Sequence, residues 1–344
     1  MWLVTDPIKK KHVLALINHV YHINHATPHV PVDNPVSIDR SGLDALKREN
    51  YIVAYKADGT RYLLVLTLYA GRPLAVLVNR AGHVYSLHVQ AQWGHYHKNS
   101  IFDGELCPID KSIQHFVIFN ALQDQGQSLV DLPYPQRLQH IQSNFAAQPL
   151  TTEERRNVTS FIVPLVPQMH FICKEWDFAQ NMRSMIRNVI PQYATDGFIL
   201  TPVDKPVVTG RNSDMFKWKK EHPIDVRATI KDAQLLLEID DNGTPVPLHR
   251  VMPHVSFNDD DDLWQQLLAG WELYNEIVSN GTGTFHHVVE MYCRPTANNH
   301  FQLQFMRLRP DKEGPNNVQT IFRTLQSISD GITQEDLFGA VARI

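Results

Sequence analysis

The chain has 344 residues, 43% hydrophobic and 20% charged, with a formal net charge of −4; that balance fits two globular domains and excludes a disordered chain. Mild negative charge excludes a protein that coats nucleic acid by bulk attraction and leaves room only for a local basic cleft. Three cysteines far apart (Cys107, Cys173, Cys293), with no CxxC, exclude a disulfide framework and point to a reducing compartment, and no apolar run approaches the roughly 18 residues of a membrane helix.

The start, MWLVTDPIKKKHVLALINHVY, lacks the layout of a signal peptide, because its basic cluster follows the short apolar run. Ile8, Val13, Leu16, Ile17, Val20 and Ile23 predict a helix over about 8–23. The KKK at 9–11 reads as a solvated helix face, with a weak nuclear-import patch as the alternative. Residues 29–40 are proline-punctuated and extended. SGLDALKREN, 41–50, predicts a short helix with Ser41 as N-cap. From 51 to 120, short β-rich runs (YIVAYK, RYLLVLTLY, PLAVLVNR, HVYSLHV, SIFDGELC, HFVIFNALQ) predict a meandering antiparallel sheet. A helix around 178–190 is ended by Pro191, and TDGFILTP and DMFKWKK predict further strands. After 220–223 the strands DVRATI, AQLLLEI, HHVVEMY and FQLQFMRLR, with one helix within DDDDLWQQLLAGWELYNEIV, suggest a small barrel of the OB type. The last stretch, from Val318, predicts one or two amphipathic helices.

One stretch needs a chemical reason. AYKADGTRYLL, 54–64, places Lys56, Asp58, Gly59 and Arg61 inside an otherwise apolar run. A lysine is a covalent nucleophile when its amine is neutral, which desolvation or nearby positive charge promotes. Glycine lets the chain turn sharply and lets a ligand approach. Taken alone, these residues equally describe an ordinary hairpin turn. They are not alone. Asp103 and Glu105 share one side of a strand. TDGFILTP carries Asp196, FKWKK puts Lys217 and Lys219 on one face and Trp218 on the other, and RLRPDKEGPN carries Arg309, Asp311 and Lys312. A lysine nucleophile, carboxylates for a divalent metal and cations for phosphates form the inventory of nucleotidyl transfer.

The order and wording of these segments resemble the covalent nucleotidyltransferase superfamily of DNA ligases, RNA ligases and mRNA-capping guanylyltransferases. NPVSIDRSGLDALKRENYIVAYKADGTRYLL, FDGELC, FVIFNALQDQG, ATDGFILTPVDKPVVTGRNSDMFKWK and RLRPDKEGPN follow in the family's order. DGFILTP, FKWK and DKEGPN are most similar to GTP–RNA guanylyltransferases. The resemblance implies an α/β (α+β) chain. An antiparallel-sheet nucleotidyltransferase domain of the ATP-grasp-like ligase and capping fold would occupy 1–221, an OB-fold lid 222–325, and a C-terminal helix at 326–344 would pack back on the first domain.

It also implies the chemistry. Lys56 would take GMP from GTP as a phosphoramidate, with Mg2+ or Mn2+, and pass it to the 5′-diphosphate end of an RNA to give GpppN. Arg61, Arg80, Glu105, Phe119, Lys217, Lys219, Asp225, Arg309 and Lys312 would contact GTP. Phe119 would stack on the guanine, and Arg309 and Lys312 would reach the outer phosphates from the lid, excluding water on closure. Asp196 and Glu105 would hold the metal. Asn79 and Asn120 depart from the family, which usually has aspartate there; each swap removes a charge and keeps an oxygen acceptor.

GHYH and the histidines at 83, 88, 95 and 97 lack zinc-site spacing. The acidic run at 258–263 lacks the spacing of a calcium loop and suits a helix N-terminus. GTGTFH is a turn rather than a dinucleotide motif, and no GxxxxGK[ST] is present. No triphosphatase or methyltransferase motif stands out, so an RNA triphosphatase and a cap methyltransferase are expected as separate partners or domains, with RNA polymerase as a further partner. The length resembles stand-alone guanylyltransferases of lower eukaryotes, which work in the nucleus, and of large DNA viruses, which work in the cytoplasm or a viral factory. The rival readings are an ATP-dependent polynucleotide ligase and a non-catalytic scaffold of the same fold.

Overall fold

The computed structural model describes residues 2–24, 30–87, 98–109, 113–142, 168–231, 234–257, 285–296, 300–309 and 312–342. His88, His95, His97, Asp311, the acidic run at 258–263, the helix expected after it and GTGT of 281–284 lie outside them. The chain divides into two compact units, Met1–Trp218 with Gln334–Ile344, and Lys219–Thr333. This differs from a lid of 222–325. The helix Val318–Asp330 is one element, closed by left-handed Gly331, and its Ile321 is buried in the second unit's core. Residues 326–333 therefore stay with that unit, and the separate last helix is Gln334–Val341, whose neighbours in the first unit include the helix Arg40–Arg48.

The first unit's strands are β1 (Trp2–Leu3), β2 (Asp33–Ser37), β3 (Tyr51–Ala57), β4 (Thr60–Tyr69), β5 (Arg72–Asn79), β6 (Val84–Leu87), β7 (Ser100–Pro108), β8 (Ile113–Asp124), β9 (Gln127–Ser128), β10 (Gln168–Cys173), β11 (Trp176–Phe178), β12 (Thr195–Pro202) and β13 (Gly210–Lys219). They form two sheets. One runs β1-β6-β5-β4-β7-β8-β10, with β9 beside β8; the other runs β11-β3-β12-β13-β2. The pairs β1–β6, β6–β5, β5–β4, β4–β7, β7–β8, β8–β9, β11–β3 and β3–β12 are antiparallel, while β8–β10 and β2–β13 are parallel. The runs from 51 to 120 are thus not one meander: YIVAYK belongs to a different sheet from all the runs that follow it.

The reason lies in burial. On β4, Leu63 and Val65 face one apolar cluster with Val13 and Ile17 of the helix Pro7–Val20. Leu64 and Leu66 face another, with Phe102, Phe116 and Leu138. A strand covered on both faces is continuously hydrophobic rather than alternating, which is what LLVL records. The helix Arg40–Arg48 starts two residues before the point that a Ser41 N-cap would set. Its N-cap is Asp39, whose Oδ1 accepts from Gly42 N (2.8 Å) and from the Ser41 hydroxyl (2.7 Å); Ser41 assists the cap instead of forming it.

The second unit holds β14 (Pro223–Lys231), β15 (Gln234–Asp241), β16 (Thr244–Pro247), β17 (Val255–Phe257), β18 (Phe285–Pro295) and β19 (Phe301–Leu308), in the order β16-β15-β14-β18-β19-β17. Flat, six strands would hold the two edges about 24 Å apart. Yet β16 and β17 are joined only by residues 248–254, of which Leu248–Val251 is helical, a reach of about 19 Å. The sheet must curl, with β16 and β17 as two halves of one broken strand. The first strand pairs antiparallel with the fourth, and the third runs parallel to the fifth, which is OB connectivity. Among the described residues, no helix is long and apolar enough to cross a membrane.

Candidate active site

The interrupted strand is a crossing between sheets. β3 is buried at every position from Tyr51 to Ala57 except Lys56, which is half-open. Asp58 and Gly59 carry the chain into β4 of the other sheet. Asp58 N donates to Ala194 O (2.8 Å), and a Cβ on Gly59 would lie 2.4 Å from Leu106 O of β7. Only glycine fits so close to another backbone. The lysine therefore stands one residue from the end of a strand in one sheet, and Arg61 one residue from the start of a strand in the other.

Two β-bulges aim the side chains around it. Thr195 pairs with Ala57 and Gly197 with Lys56, so Asp196 is the extra residue between them. Its carboxylate meets the Lys56 ammonium at 2.8 Å through Oδ1 and 3.1 Å through Oδ2. Asp103 pairs with Asn120 and Gly104 with Ile118, so Phe119 is the extra residue on β8. Bulges re-aim side chains in this way, and they gather beside active sites.

A cleft of about 280 Å³ opens here, lined among others by Lys56, Arg61, Arg80, Glu105, Phe119 and Lys217. Six of the residues singled out in the sequence thus share one cavity. Lys219 ends β13 on the face of Lys217, while Trp218 turns the other way and stacks on Phe198 at 5.7 Å. Arg61 is strongly committed. Its Nε and Nη2 hold Asp103 at 2.9 and 2.5 Å, and Nη1 donates to Asp33 O at 2.6 Å. Asp103 is buried, so this bidentate pair fixes the Arg61 guanidinium 5.3 Å from the Phe119 ring.

Lys174 belongs to none of the sequence motifs. It follows β10, is 8% exposed, lines the cleft and puts its ammonium 4.8 Å from the Phe119 ring centre. Its signal, a lysine closing an apolar run in MHFICK, is the one that marked Lys56. Burial presses the Lys174 ammonium down from its usual range, against the attraction of Glu105. Burial also raises the Glu105 carboxyl, against the pull of Lys56, Lys174 and Arg61. Beneath the cleft, Asp33 is pushed up to about 6, by burial first, with Asn212 and Arg61 opposing.

Among the described residues, no group of three or more His, Cys, Asp or Glu side chains is arranged to hold a metal ion. Asp196 and Glu105 nevertheless supply hard carboxylate oxygens, and Mg2+ is commonly held by one or two carboxylates with substrate phosphates completing its shell. The donor set suits a cation that arrives with a triphosphate.

The second unit gathers the remaining candidates. Arg309 Nη1 lies 3.2 Å from Asp225 Oδ1 and 3.1 Å from Glu290 Oε1. Lys312 Nζ is 3.7 Å from Asp225 Oδ2. Asn316 brackets Asp225 by donating to Oδ2 (3.2 Å) and accepting from its N–H (2.9 Å). Arg307 Nε donates to Glu290 Oε2 (2.5 Å). Asp225 is thus the anchor of the two cations, and Glu290 and Asn316 join it unforeseen.

Residues 4–221 match the family model for the mRNA capping enzyme catalytic domain, and 223–338 that for the mRNA capping enzyme C-terminal domain. The mRNA-capping enzyme subunit alpha of Schizosaccharomyces pombe is 27% identical over 89% of this chain and 78% of its own length. That of Neurospora crassa is 25% identical over 91% and 85%. The mouse mRNA-capping enzyme is 24% identical over 91% of this chain and 50% of its own length. Among solved structures, the ATP-dependent DNA ligase of bacteriophage T7 in complex with ATP aligns with a TM-score of 0.38 at 12% identity, over 81% of this chain and 98% of that one.

Proposed function

The chain belongs to the mRNA capping enzyme family, an mRNA guanylyltransferase that acts on GTP and RNA, and we propose that it works through a covalent Lys56–GMP intermediate. The observation that carries this mechanism is the Lys56 ammonium held by Asp196 at the cleft that Phe119 and Lys217 also line.

In the first step the Lys56 nitrogen attacks the α-phosphorus of GTP. A P–N bond forms, the bond from the α-phosphorus to the bridging oxygen breaks, and pyrophosphate leaves. The ammonium must first surrender a proton, and the Asp196 carboxylate in contact with it is an acceptor. In the second step a terminal phosphate oxygen of a 5′-diphosphate RNA attacks the same phosphorus and releases the lysine. Phe119 stacks on the base, and Arg61, Arg80, Glu105 and Lys174 surround base and sugar. Lys217 and Lys219 neutralise phosphates, and Arg309 and Lys312, presented by Asp225, serve the outer ones. Asp196 and Glu105 would hold Mg2+ or Mn2+, which would supply charge neutralisation on the phosphates. An RNA triphosphatase and a cap methyltransferase act as separate partners or as other domains, with RNA polymerase delivering the transcript. The site of action is the nucleus for a cellular enzyme and the cytoplasm or a viral factory for a viral one.

The test uses α-labelled GTP or ATP with a divalent cation, resolved on a denaturing gel beside Lys56→Ala. An acid-labile, alkali-stable, Lys56-dependent label from GTP alone is the expected result. Label from ATP alone would move the chemistry to polynucleotide ligation, and label from neither would overturn the covalent mechanism.

A further inference from the structure

Phe119 sits in a bulge, where the regular ladder no longer holds the chain, so something else must fix it. Two side chains of the segment Tyr134–Ile141 do so. The Tyr134 hydroxyl donates to Phe119 O at 2.7 Å. Arg137 Nε donates to Asn120 Oδ1 at 2.9 Å, and its Nη1 donates to the Leu132 and Lys205 carbonyls. The Arg137 guanidinium lies 5.1 Å from the Tyr134 ring centre, which makes the two side chains one unit.

This arrangement is costly for a merely structural helix. Arg137 is 2% exposed and heads the largest fully buried side chains. Among the described residues its hydrogen bonds go to an amide oxygen and to main-chain carbonyls, and none goes to a carboxylate. Taking a guanidinium out of water without a paired anion is expensive. A neutral residue of similar volume would fill the space at lower cost. What the charge adds is a fixed, multiply bonded grip on Asn120, the residue after the bulge. Asn120 keeps the acceptor oxygen that this grip needs.

We propose that Tyr134 and Arg137 are positioning residues for base recognition: by clamping the carbonyl of Phe119 and the side chain of Asn120 they hold the bulge that presents the Phe119 ring to the guanine. This rests on the proposed role of Phe119 as the base-stacking wall. The clamp touches no reacting atom, so it governs affinity for the base and leaves the phosphorus chemistry alone. An interaction made equally in ground and transition states alters KM and spares kcat.

The experiment compares full-length wild type, Tyr134→Phe and Arg137→Gln. Tyr134→Phe removes one oxygen and keeps the ring in place; Arg137→Gln releases Asn120. The readouts are the half-saturating GTP concentration and maximal rate of Lys56 labelling. Alongside them runs the inhibition constant of inorganic tripolyphosphate, which offers the phosphates without a base. Tyr134→Phe is expected to raise half-saturating GTP about three- to tenfold, and Arg137→Gln by at least as much. Maximal rate and tripolyphosphate inhibition stay within twofold of wild type. Unchanged GTP dependence in Tyr134→Phe overturns the proposal. Equal weakening toward GTP and tripolyphosphate also overturns it, since a general loss of structure would do that. A wild type that takes no label from GTP overturns the guanylyltransferase mechanism itself, a failure distinct from either.

Discussion

Gly59→Ala isolates the crossing between the two sheets. The added methyl carbon would stand 2.4 Å from Leu106 O, 3.0 Å from Cys107 Sγ and 3.0 Å from Glu105 Cγ. A carbon and a carbonyl oxygen tolerate about 3.3 Å, so the turn and β7 must separate by about 1 Å. Neither yields freely: Thr60 pairs directly with Leu106 in the ladder, and Asp58 is tied to Ala194. The separation falls between Lys56 on one side and Glu105 on the other. Misplacement of about 1 Å costs on the order of 10²-fold in rate when the reacting groups must be aligned. The assay is the single-turnover rate of Lys56 labelling from saturating GTP, with circular dichroism and a melting curve to show that the chain is folded. A folded Gly59→Ala protein that labels within threefold of wild type would refute the claim that this close approach sets the lysine's position.

Phe119→Ala removes the proposed base wall; half-saturating GTP should rise between about fivefold and 150-fold, as base–aromatic stacking is worth about 1–3 kcal/mol, and titration of the labelling rate reads it. Asp33→Asn tests the buried carboxyl. Its folded-state value of about 6 lies above its ordinary value of 3.8, so the ionised form is disfavoured in the native state and the penalty is complete only above pH 6. The substitution should stabilise the chain at pH 7.5 by up to about 3 kcal/mol. That gain shrinks as pH falls from 6 towards 4, where wild-type Asp33 takes up its own proton; denaturant melts at the two ends of the range measure it. Leu64→Ala empties a fully buried position in the first unit and should cost about 2–5 kcal/mol, read from the first unit's unfolding transition in calorimetry.

Much of this was legible in the sequence because the relevant signals are local. The helix Pro7–Val20, the strands on either side of Lys56 and the FKWK face follow from apolar periodicity and turn residues. The motif order identified the lysine and five of its cleft neighbours, Arg61, Arg80, Glu105, Phe119 and Lys217. What was not legible is set by register. No local pattern says that YIVAYK and RYLLVLTLY part into different sheets, since both are simply apolar. Nor does any pattern say that 244–247 and 255–257 are halves of one barrel strand. Lys174 escaped because its partners, Glu105 and the Phe119 ring, are supplied by strands far away in the chain. Arg137 escaped for a related reason: in YPQRLQHI it reads as the solvated face of an amphipathic helix, and only the tertiary structure buries it.

The two bulges explain why a site of this kind is so compact. An unbroken ladder alternates its side chains strictly, and Lys56 on β3 could then face only the residues that period-two pairing puts opposite it. Its direct partner on β12 is Gly197, which has no side chain. The extra residue, Asp196, fills that gap from within the same strand and brings a carboxylate to the ammonium. On β8 the extra residue is Phe119, which reaches the cleft while its neighbours Ile118 and Asn120 stay buried. Each bulge is braced by side chains, Lys56 on the Asp196 carboxylate at one and Tyr134 with Arg137 on Phe119 O and the Asn120 amide at the other. The brace of the first bulge is the proposed nucleophile itself. At saturating divalent cation, converting Asp196 to asparagine should therefore loosen Lys56 and slow labelling by a larger factor than it raises half-saturating GTP. Loosening the second bulge should do the reverse. If the two substitutions shift rate and affinity in the same proportion, the division of labour between the bulges is wrong.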